Sequence, residues 1–319
     1  MTGRLIQLSS VVVDHIYQIE SIPAPGEEAV VHDDTLTAGG AFNAMAAARR
    51  CDMDVAYAGM LGTGPFADLV ADALERADIE VLRQRHKSRD QGCCTVLIDR
   101  DGERSFITST DLDGPVTTAD LAGLPIEDRD WLLLSGYTLA YSQSSAAMTA
   151  WLETTTASRL VFDPSPMVDR IAPQSLAAAR TASLWITTNK REAMIMTGAE
   201  RAEDAAQALA ADCPPQGGAV VRDGGNGCLI AEKNGGVTHI PAHEVTPIDT
   251  NGAGDAHVGA FIAMLARGEG PVTAAHIANV CAALSTTRRG PSTAPRLEET
   301  LLAMETSQSH AIRQNEIQY

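Results

Sequence analysis

The stretch DTNGAGD, from Asp249 to Asp255, combines an anion-binding backbone with two carboxylates. The compact segment of Gly252, Ala253 and Gly254 can direct several backbone N–H groups at one anion. An amphipathic stretch, AHVGAFIAML, follows directly, so this segment should lie at the N-terminus of a helix. Unpaired N–H groups and the positive end of the helix dipole favour negative charge at such a position. These residue types indicate a small anion site with an acid beside it.

Asp255 allows two interpretations. If the anion is the charge that develops while a phosphate group moves onto a hydroxyl, Asp255 is the base that takes the hydroxyl proton. Otherwise it is a capping acid in the first helical turn, which the helix dipole also stabilises. The spacing alone favours neither.

A second stretch, AGGAFNAMAAA (residues 38–48), carries residue types suited to a polar ligand. Gly39 and Gly40 allow close backbone approach, and the Asn43 amide offers both a donor and an acceptor, which suits vicinal hydroxyl groups. Asp14 ends the first predicted strand, LIQLSSVVVD, and its carboxylate can accept two hydroxyl protons of a sugar. The alternatives are a packing turn for the glycines, a helix cap for Asn43 and a solvated turn for Asp14.

The stretch GTGPFA (residues 62–67) formally fits the G-x-G-x-x-A dinucleotide fingerprint, because it follows an apolar strand and opens a helix. However, Pro65 occupies a position normally close to the pyrophosphate, and the unit does not follow the first strand of the chain. We therefore favour a tight strand-to-helix turn. The chain has no G-x-x-x-x-G-K-[ST] sequence, which excludes a Walker-type phosphate loop.

Apolar runs that alternate with alanine-rich amphipathic stretches must position these motifs. The short runs that predict buried strands are LIQLSSVVVD, DVAYAGML, DWLLLSG, SRLVFDP, LWITTN and GAVVRDG. The stretches that predict helices are FADLVADALERA, SSAAMTAWLETTT, PQSLAAARTA and REAMIMTGAERAEDAAQALAA. This alternation predicts an α/β fold with a mostly parallel central sheet and helices on both faces. Such sheets bind ligands beyond the carboxyl ends of their strands.

Two stretches break this alternation and predict antiparallel strands. They are GEEAVVHDDTLT (residues 26–37) and GCCTVLIDRDGERSFITST (residues 92–110), and the second contains the turn Asp101-Gly102. A small antiparallel β lid over the site and an ordinary extension of the sheet edge fit the pattern equally well.

The composition restricts the partners. The chain has 319 residues, 45% of them hydrophobic, and a formal net charge of −17. This charge repels nucleic acid and anionic membrane surfaces, so we expect neither as a partner. No apolar run approaches the roughly 20 residues of a membrane span, and the N-terminus lacks the cleavage pattern of a signal peptide, so we expect a cytoplasmic protein.

The two motifs together resemble the C-terminal and N-terminal signatures of the ribokinase-like (pfkB) carbohydrate kinase family, which also contains nucleoside kinases. The resemblance runs from the first strand to RRGPSTAP, with matching order and spacing. It implies a single kinase domain over residues 1–319, with lid segments at about 15–37 and 88–111 inserted. ATP and Mg²⁺ are the implied cofactors.

The resemblance also implies a role for each matching residue at the reaction centre. Asp255 matches the catalytic base, and the backbone of residues 252–254 matches the anion hole for the transferred phosphate. The positions that match those holding sugar hydroxyls are Asp14, Gly39, Gly40 and Asn43.

Other matches concern the nucleotide and its metal ion. Asn189 and Glu192, in TTNKREA, match an N-x-x-E motif that acts on magnesium and phosphate largely through water. Without the resemblance, Asn189 is a helix cap and Glu192 a first-turn acid that completes it. The matches around the nucleotide are Asn189, Arg222, Gly224, Gly227 and Asn279, with helix packing as the alternative for Asn279.

Three further residues, Asp249, Thr250 and Ser292, match positions where many members bind a monovalent cation such as K⁺, mostly through backbone oxygens.

The chain also departs from the family pattern. Gly136-Tyr137 stands where ribokinases proper have an acidic residue that contacts ribose, which points toward sugar acids or other ligands. GTGPFA lacks the usual aspartate of its turn. His257 stands where an aromatic residue is common, and we expect it to pack in the core because it points away from Asp255.

We therefore expect an ATP-dependent kinase that phosphorylates a hydroxyl of a small sugar or sugar derivative, and a homodimer formed through the lid. A nucleoside kinase is the nearest alternative, although an aromatic content of 4% provides few platforms for a base. A catalytically silent sugar-binding or nucleotide-binding sensor is the alternative from a different class, and the intact Asp255 and N-x-x-E motif argue against it.

Overall fold

The structure of the protein is a computed structural model that describes residues 3–109 and 116–306. Its strands form two sheets, one of nine strands and one of four. The nine-stranded sheet is parallel except at one edge, where β11 pairs with β12 and β12 with β13 in antiparallel fashion. The predicted α/β fold with a mostly parallel sheet is confirmed.

The central sheet has the order β13-β12-β11-β10-β9-β8-β1-β4-β5. Its strands, in chain order, are β1 Leu5–Gln7, β4 Val55–Tyr57, β5 Glu80–Val81, β8 Trp131–Ser135, β9 Leu160–Asp163, β10 Trp185–Asn189, β11 Gly218–Arg222, β12 Cys228–Glu232 and β13 Val237–Ile240. The second sheet has the order β3-β2-β6-β7, and its strands are β2 Val11–Ile19, β3 Val31–Gly40, β6 Cys93–Ile98 and β7 Arg104–Thr108.

Helices cover both faces of the central sheet. They are α1 Phe42–Arg50, α2 Pro65–Arg76, α3 Thr118–Ala122, α4 Gly136–Ala140, α5 Ser142–Thr154, α6 Pro173–Ala182, α7 Lys190–Thr197, α8 Ala202–Asp212, α9 Ala253–Ala266 and α10 Pro271–Ser285. A further helix spans 297–306.

The core consists of two apolar clusters, one on each face of the central sheet. Successive strand residues point to opposite faces, so Leu133 joins the cluster under α1, α9 and α10, whereas Leu132 and Leu134 join the cluster under α5 and α8. Both faces of the strands are therefore buried, which explains their nearly continuous apolar sequences.

The second sheet contains both stretches for which antiparallel strands were predicted. Two of its pairings, β2 with β3 and β6 with β7, are antiparallel, and the middle pairing of β2 with β6 is parallel. Because these strands form a sheet of their own, the alternative of an extension at the central sheet's edge is wrong. The strand predicted over residues 26–37 begins only at Val31 and continues to Gly40. Residues 110 and 111 of the expected lid segment, and the last thirteen residues of the chain, lie outside the described part.

The first predicted strand was wrong in one respect, because LIQLSSVVVD forms two strands in two sheets. Ser9 interrupts it with local hydrogen bonds, since its N–H donates to Gln7 Oε1 (3.1 Å) and its hydroxyl accepts from the Ser135 N–H (2.7 Å). The chain then enters β2. Asp14 is therefore the fourth residue of β2 and does not end a central strand.

The helix predicted across REAMIMTGAERAEDAAQALAA is also divided, into α7 and α8. Gly198 ends α7 in the left-handed conformation (φ 71°), which a glycine adopts without steric cost. No helix among the described residues is long and apolar enough to cross a membrane.

Candidate active site

The carboxyl ends of adjacent parallel strands bring polar side chains to one edge of the central sheet. Ser135 lies opposite Asp163 where β8 and β9 end, and Asn189 lies opposite Arg222 where β10 and β11 end. This edge is where an open α/β sheet binds ligands. Of these four residues, the sequence analysis singled out Asn189 and Arg222.

The N-terminus of α9 meets the same edge. Gly252 precedes α9 with φ 75°, and a Cβ at this position would lie 1.9 Å from the Pro291 carbonyl oxygen. Only glycine fits there, for conformational and steric reasons together. In this turn the Ala253 N–H donates to the Thr250 carbonyl (3.3 Å), and Asp255 lies in the first turn of the helix.

Asn43 holds the carboxylate of Asp255. Its Nδ2 donates to Asp255 Oδ2 at 3.0 Å, and its Oδ1 accepts from the Ser292 hydroxyl at 2.7 Å. Asn43 is buried in α1, and its two hydrogen bonds, to Asp255 and from Ser292, fix the orientation of its amide. Among the described residues, Oδ1 of Asp255 receives no hydrogen bond.

The pKa of Asp255 is that of a base suited to neutral pH. The pKa is raised to about 6, because desolvation and the charge of Asp163, which raise it, outweigh the hydrogen bond from Asn43 and the charge of Arg222, which lower it. A catalytic base works best when its pKa lies near the operating pH, because it is then both deprotonated and basic.

Asp14 approaches this site from the second sheet. Burial, and then the charge of Asp255, together raise the pKa of Asp14 to about 7, so the two carboxylates interact electrostatically. The Asp14 side chain lies over Gly39, where an added Cβ would come within 2.0 Å of Asp14 Oδ2. Gly39 therefore makes room for the Asp14 carboxylate. Gly40 ends β3 with φ 58°.

Arg222 links three elements beneath the edge. Its Nη2 contacts Asp163 Oδ2 at 3.0 Å, and its Nη1 donates to the Gly254 carbonyl at 3.0 Å. Arg222 thus ties the ends of β9 and β11 to the first turn of α9. Gly224 and Gly227 follow in the turn between β11 and β12, both with positive φ.

Asn189 and Glu192 form a complete capping box at the start of α7. Asn189 Oδ1 accepts from the Glu192 N–H (2.9 Å), and Glu192 Oε2 accepts from the Asn189 N–H (2.9 Å) and the Thr188 hydroxyl (3.1 Å). Burial, and then the charge of Asp163, raise the pKa of Glu192. The capping alternative is therefore present in the structure, and the role at magnesium and phosphate stays a prediction.

Asn279 and His257 lie in the packed layer behind the edge. The Asn279 amide donates to the carbonyls of Ile240 (3.1 Å) and Pro241 (3.0 Å), which fixes the end of β13. The His257 ring is 2% exposed and stacks on Phe261 with centroids 6.3 Å apart. Burial lowers the pKa of His257 to about 3, so it is a neutral ring packed in the core, as expected.

Arginine side chains contact two of the three residues predicted to bind a monovalent cation, Asp249 and Ser292. Arg104 of β7 contacts Asp249 Oδ1 at 2.6 Å, and Asp249 Oδ2 accepts from the Gly290 N–H at 3.0 Å. The carbonyl of Ser292 accepts from Arg50. Binding of K⁺ by Asp249, Thr250 and Ser292, mostly through backbone oxygens, stays a prediction, and we assign no step to that ion.

Besides Ser135, three residues at or near this edge escaped the sequence analysis. Asp163 follows the strand in SRLVFDP, so the signal that selected Asp14, an acid after an apolar run, also marks Asp163. Arg104 has no local signal, because its partner lies 145 positions away. Asp90 accepts from the N–H of Ala67 at 2.8 Å and thereby caps α2. The N-terminus of α2 is thus already bound to a carboxylate, which supports a tight turn in GTGPFA rather than a dinucleotide site.

Comparisons with known proteins show which family and fold this chain shares. A sequence profile of the family described as pfkB family carbohydrate kinase matches residues 4–298. The chain is 26% identical over 309 residues to YegV of Escherichia coli, described as an uncharacterized sugar kinase, covering 93% of this chain and 92% of that protein.

Solved structures show the same fold. Ribokinase from Thermotoga maritima superposes with a TM-score of 0.80 at 21% identity, covering 96% of this chain and all (100%) of the other. Ribokinase from Arabidopsis thaliana, solved with ribose and ATP, superposes with a TM-score of 0.77 at 20% identity, covering 95% and 99%.

Proposed function

This chain belongs to the pfkB family of carbohydrate kinases, and we propose that it transfers the γ-phosphate of ATP to a hydroxyl of a small sugar or sugar derivative. The observation that carries the proposal is the position of Asp255. Its carboxylate lies in the first turn of α9, next to the N–H groups of residues 252–254, and is held by Asn43. A base and an anion hole at one point are what phosphoryl transfer to an alcohol requires.

Asp255 is the general base of the proposed reaction. It takes the proton of the acceptor hydroxyl as the hydroxyl oxygen forms a bond to the γ-phosphorus of ATP. The bond from that phosphorus to the bridging oxygen of ADP breaks in the same displacement. The backbone of Gly252, Ala253 and Gly254 stabilises the charge on the transferring phosphoryl group. Arg222 contributes by fixing the Gly254 carbonyl and thereby the orientation of this turn.

Asp14 binds the hydroxyl groups of the acceptor. The Asp14 carboxylate lies over Gly39 and interacts with the charge of Asp255. In this proposal Asp14 and Asp255 therefore bind the same acceptor molecule. Gly39 and Gly40 shape the backbone there. Asn43 acts first as a positioning residue for Asp255, and its amide has one further N–H to offer an acceptor hydroxyl.

The nucleotide lies over the ends of β10 and β11 in this proposal. Asn189, Arg222, Gly224 and Gly227 surround that position, and Asn279 supports it from α10. When bound, Mg²⁺ neutralises charge on the phosphates of ATP. The described residues contain no cluster of three or more His, Cys, Asp or Glu that could hold a metal ion. This fits an ion held by phosphates and water, with Glu192 as the carboxylate that would bind its water shell.

The second sheet acts as the lid and as the contact between two copies of the chain. Val31 and Leu36 project from the face opposite Asp14 and remain 42% and 41% exposed. A sheet with exposed apolar side chains and open edges tends to pair with another chain. We therefore expect a homodimer. We also expect this homodimer in the cytoplasm.

The test is ATP consumption by the wild-type protein and by the Asp255→Asn variant over a panel of sugars, sugar acids and nucleosides. The wild type should turn over at least one acceptor, and the variant should lose about 10² to 10⁴ in kcat because its amide takes up no proton. Thermal shifts with ATP and the acceptor should be retained by the variant. Asp101→Asn, in an exposed turn, is the matched control and should behave as wild type.

Two outcomes oppose the proposal. Turnover by Asp255→Asn near the wild-type rate would remove Asp255 as the base. Absence of turnover by the wild type with every acceptor, despite thermal shifts, would favour a binding protein over a kinase.

A further inference from the structure

The described aromatic side chains include two that stand at the acceptor site, Phe106 on the second sheet and Tyr137 on the central sheet. The chain has five Phe and five Tyr, so their placement at one site needs an explanation. The positions of both rings can be derived from pairing and contacts.

Strand register places Phe106 on the same face as Asp14. In the pairing of β6 with β7, Phe106 lies opposite Val96, and Thr108 lies opposite Cys94. Cys94 in turn lies opposite Asp14 in the pairing with β2. Opposite residues share a face of a sheet, and so do residues two apart on a strand. We call the face that carries Asp14 the inner face.

Two anchored neighbours fix where the Phe106 ring lies. Arg104, two residues before it on the inner face, contacts Asp249 in the loop that leads into α9. Thr108, two residues after it, lies 3.2 Å from Cys94 Sγ through its hydroxyl. Between these contacts the Phe106 side chain faces the central sheet and keeps 60% of its surface exposed, so a ligand can reach it.

Tyr137 faces the same space from the other side. It is the second residue of α4, directly after β8 at the ligand-binding edge. Burial, and then the charges of Cys94, Asp255, Asp14 and Asp163, raise the pKa of Tyr137 to about 12. Its ring is 6.0 Å from that of Tyr141, and it remains 39% exposed.

The charges at the site select against an anionic acceptor. Asp14 and Asp255 face it, and Asp163 lies nearby. The arginines that reach this region are already paired, Arg222 with Asp163 and Arg104 with Asp249. A sugar acid or sugar phosphate would bring its charge next to carboxylates without gaining a cation, which disfavours binding.

We propose that the acceptor is an uncharged nucleoside, whose sugar hydroxyls bind Asp14 and whose planar base lies between Phe106 and Tyr137. This inference rests on the proposed kinase function and names its substrate class. Aromatic rings provide a stacking surface for a base, whereas a free sugar makes little use of one. It also replaces the sequence-based expectation that Tyr137 points toward sugar acids.

The first experiment compares kcat/KM for three classes of acceptor. The nucleosides are adenosine, inosine, uridine and cytidine, the free sugars are ribose and fructose, and the anionic acceptors are gluconate and ribose 1-phosphate. We expect the best nucleoside to exceed the best free sugar at least tenfold, and the anionic acceptors to be slowest. Faster turnover of a free sugar or an anion than of every nucleoside overturns the inference and leaves the kinase function intact. Absence of turnover with all acceptors rejects both.

The second experiment removes the Phe106 ring. Phe106→Ala should raise KM for the best nucleoside about 5- to 100-fold, the range expected for loss of base stacking, and change KM for ribose less than twofold. Leu302→Ala is the control, because Leu302 is 63% exposed in the helix over 297–306, outside the second sheet. Both residues are exposed, so neither variant should unfold. Equal changes in KM for nucleoside and ribose, or no change for either, would contradict stacking on Phe106.

Discussion

Asp14 and Asp255 are two carboxylates in one desolvated site, where the nearby guanidinium of Arg222 is already bound to Asp163. Desolvation is the largest cause of the raised pKa of each. Proteins accept such destabilising groups where function requires them. The Asn43 amide binds one oxygen of Asp255 and so gives the proposed base a defined orientation.

The first prediction concerns the stability of Asp14→Asn. Burial raises the pKa of Asp14 from 3.8 to about 7, so between these values the folded protein binds a proton that the unfolded chain has lost. This group's contribution to stability is therefore fully present below about pH 4 and is lost as pH rises toward 7. The isosteric amide has no charge to desolvate. We expect Asp14→Asn to have a higher Tm than wild type at pH 8 and a smaller difference at pH 5, while acceptor binding is weakened.

Thermal unfolding at the two pH values checks this prediction. Asp33→Asn, on the exposed part of the same sheet, serves as the control and should show no pH-dependent gain. A lower Tm for Asp14→Asn at pH 8 would mean that the carboxylate contributes stabilising contacts that outweigh its desolvation.

At the scale of elements, one ion pair connects the second sheet to the loop before α9, where the anion hole is proposed. Arg104 of β7 contacts Asp249 at 2.6 Å, and the same carboxylate accepts from the N–H of Asn251 (2.9 Å) and of Gly290 (3.0 Å). Asp249 thus fixes both the loop before α9 and the sheet above it. The position of the sheet and the geometry of the anion hole are thereby linked through one side chain.

The second prediction concerns Arg104→Gln. Loss of the ion pair should let the second sheet open and loosen the loop before α9, which admits water to the phosphoryl group. We expect kcat with the acceptor to fall about tenfold and ATP hydrolysis without acceptor to rise relative to kcat. The measurement is ADP release with and without acceptor.

Arg100→Gln provides the control for this variant. Arg100 lies in the same hairpin and pairs with Glu20 at 3.1 Å, but both side chains are about two-thirds exposed (66% and 67%) and away from the site. An exposed pair contributes little, so Arg100→Gln should behave as wild type. Identical kinetics for the two variants would show that the Arg104 contact does not control closure.

At the scale of the whole molecule, the outer face of the second sheet is the surface that the proposed homodimer would bury. Its side chains include Val31 and Leu36, which are large, apolar and more than 40% exposed (42% and 41%). The net charge of −17 opposes association through the rest of the surface, so contact should form where apolar groups are concentrated.

The third prediction is that Leu36→Asp converts a dimer into a monomer. A carboxylate in the centre of an apolar contact is left without a partner on the other chain, which costs more than the contact gains. Size-exclusion chromatography with light scattering reports the mass directly. Leu302→Asp, at an exposed apolar position in the helix over 297–306, adds the same charge elsewhere and should leave the mass unchanged. A wild-type monomer, or a dimer that tolerates Leu36→Asp, would contradict the proposal.

The sequence by itself determined the fold class and the local chemistry of the motifs. The alternation of apolar and amphipathic stretches predicts the central sheet, because the strand pattern and the helix pattern each depend on residues close together in the chain. The glycine turn before α9 and the acid that follows it are also local, since the backbone conformation of Gly252 and the spacing to Asp255 are properties of a few consecutive residues. The family resemblance rests on two local motifs, DTNGAGD and AGGAFNAMAAA.

The tertiary structure decided the contacts between distant parts of the chain. Asn43 was expected at the acceptor, but its first partner is Asp255, 212 positions away. Arg104 and Phe106 carry no local pattern, and their roles follow from strand register and from the loop they face. Asp14 was expected at the end of a central strand, but the hydrogen bonds of Ser9 interrupt that strand, and Asp14 lies in the second sheet. Side-chain direction and charge pairing depend on which elements pack together, and periodicity along one segment contains no information about its partner.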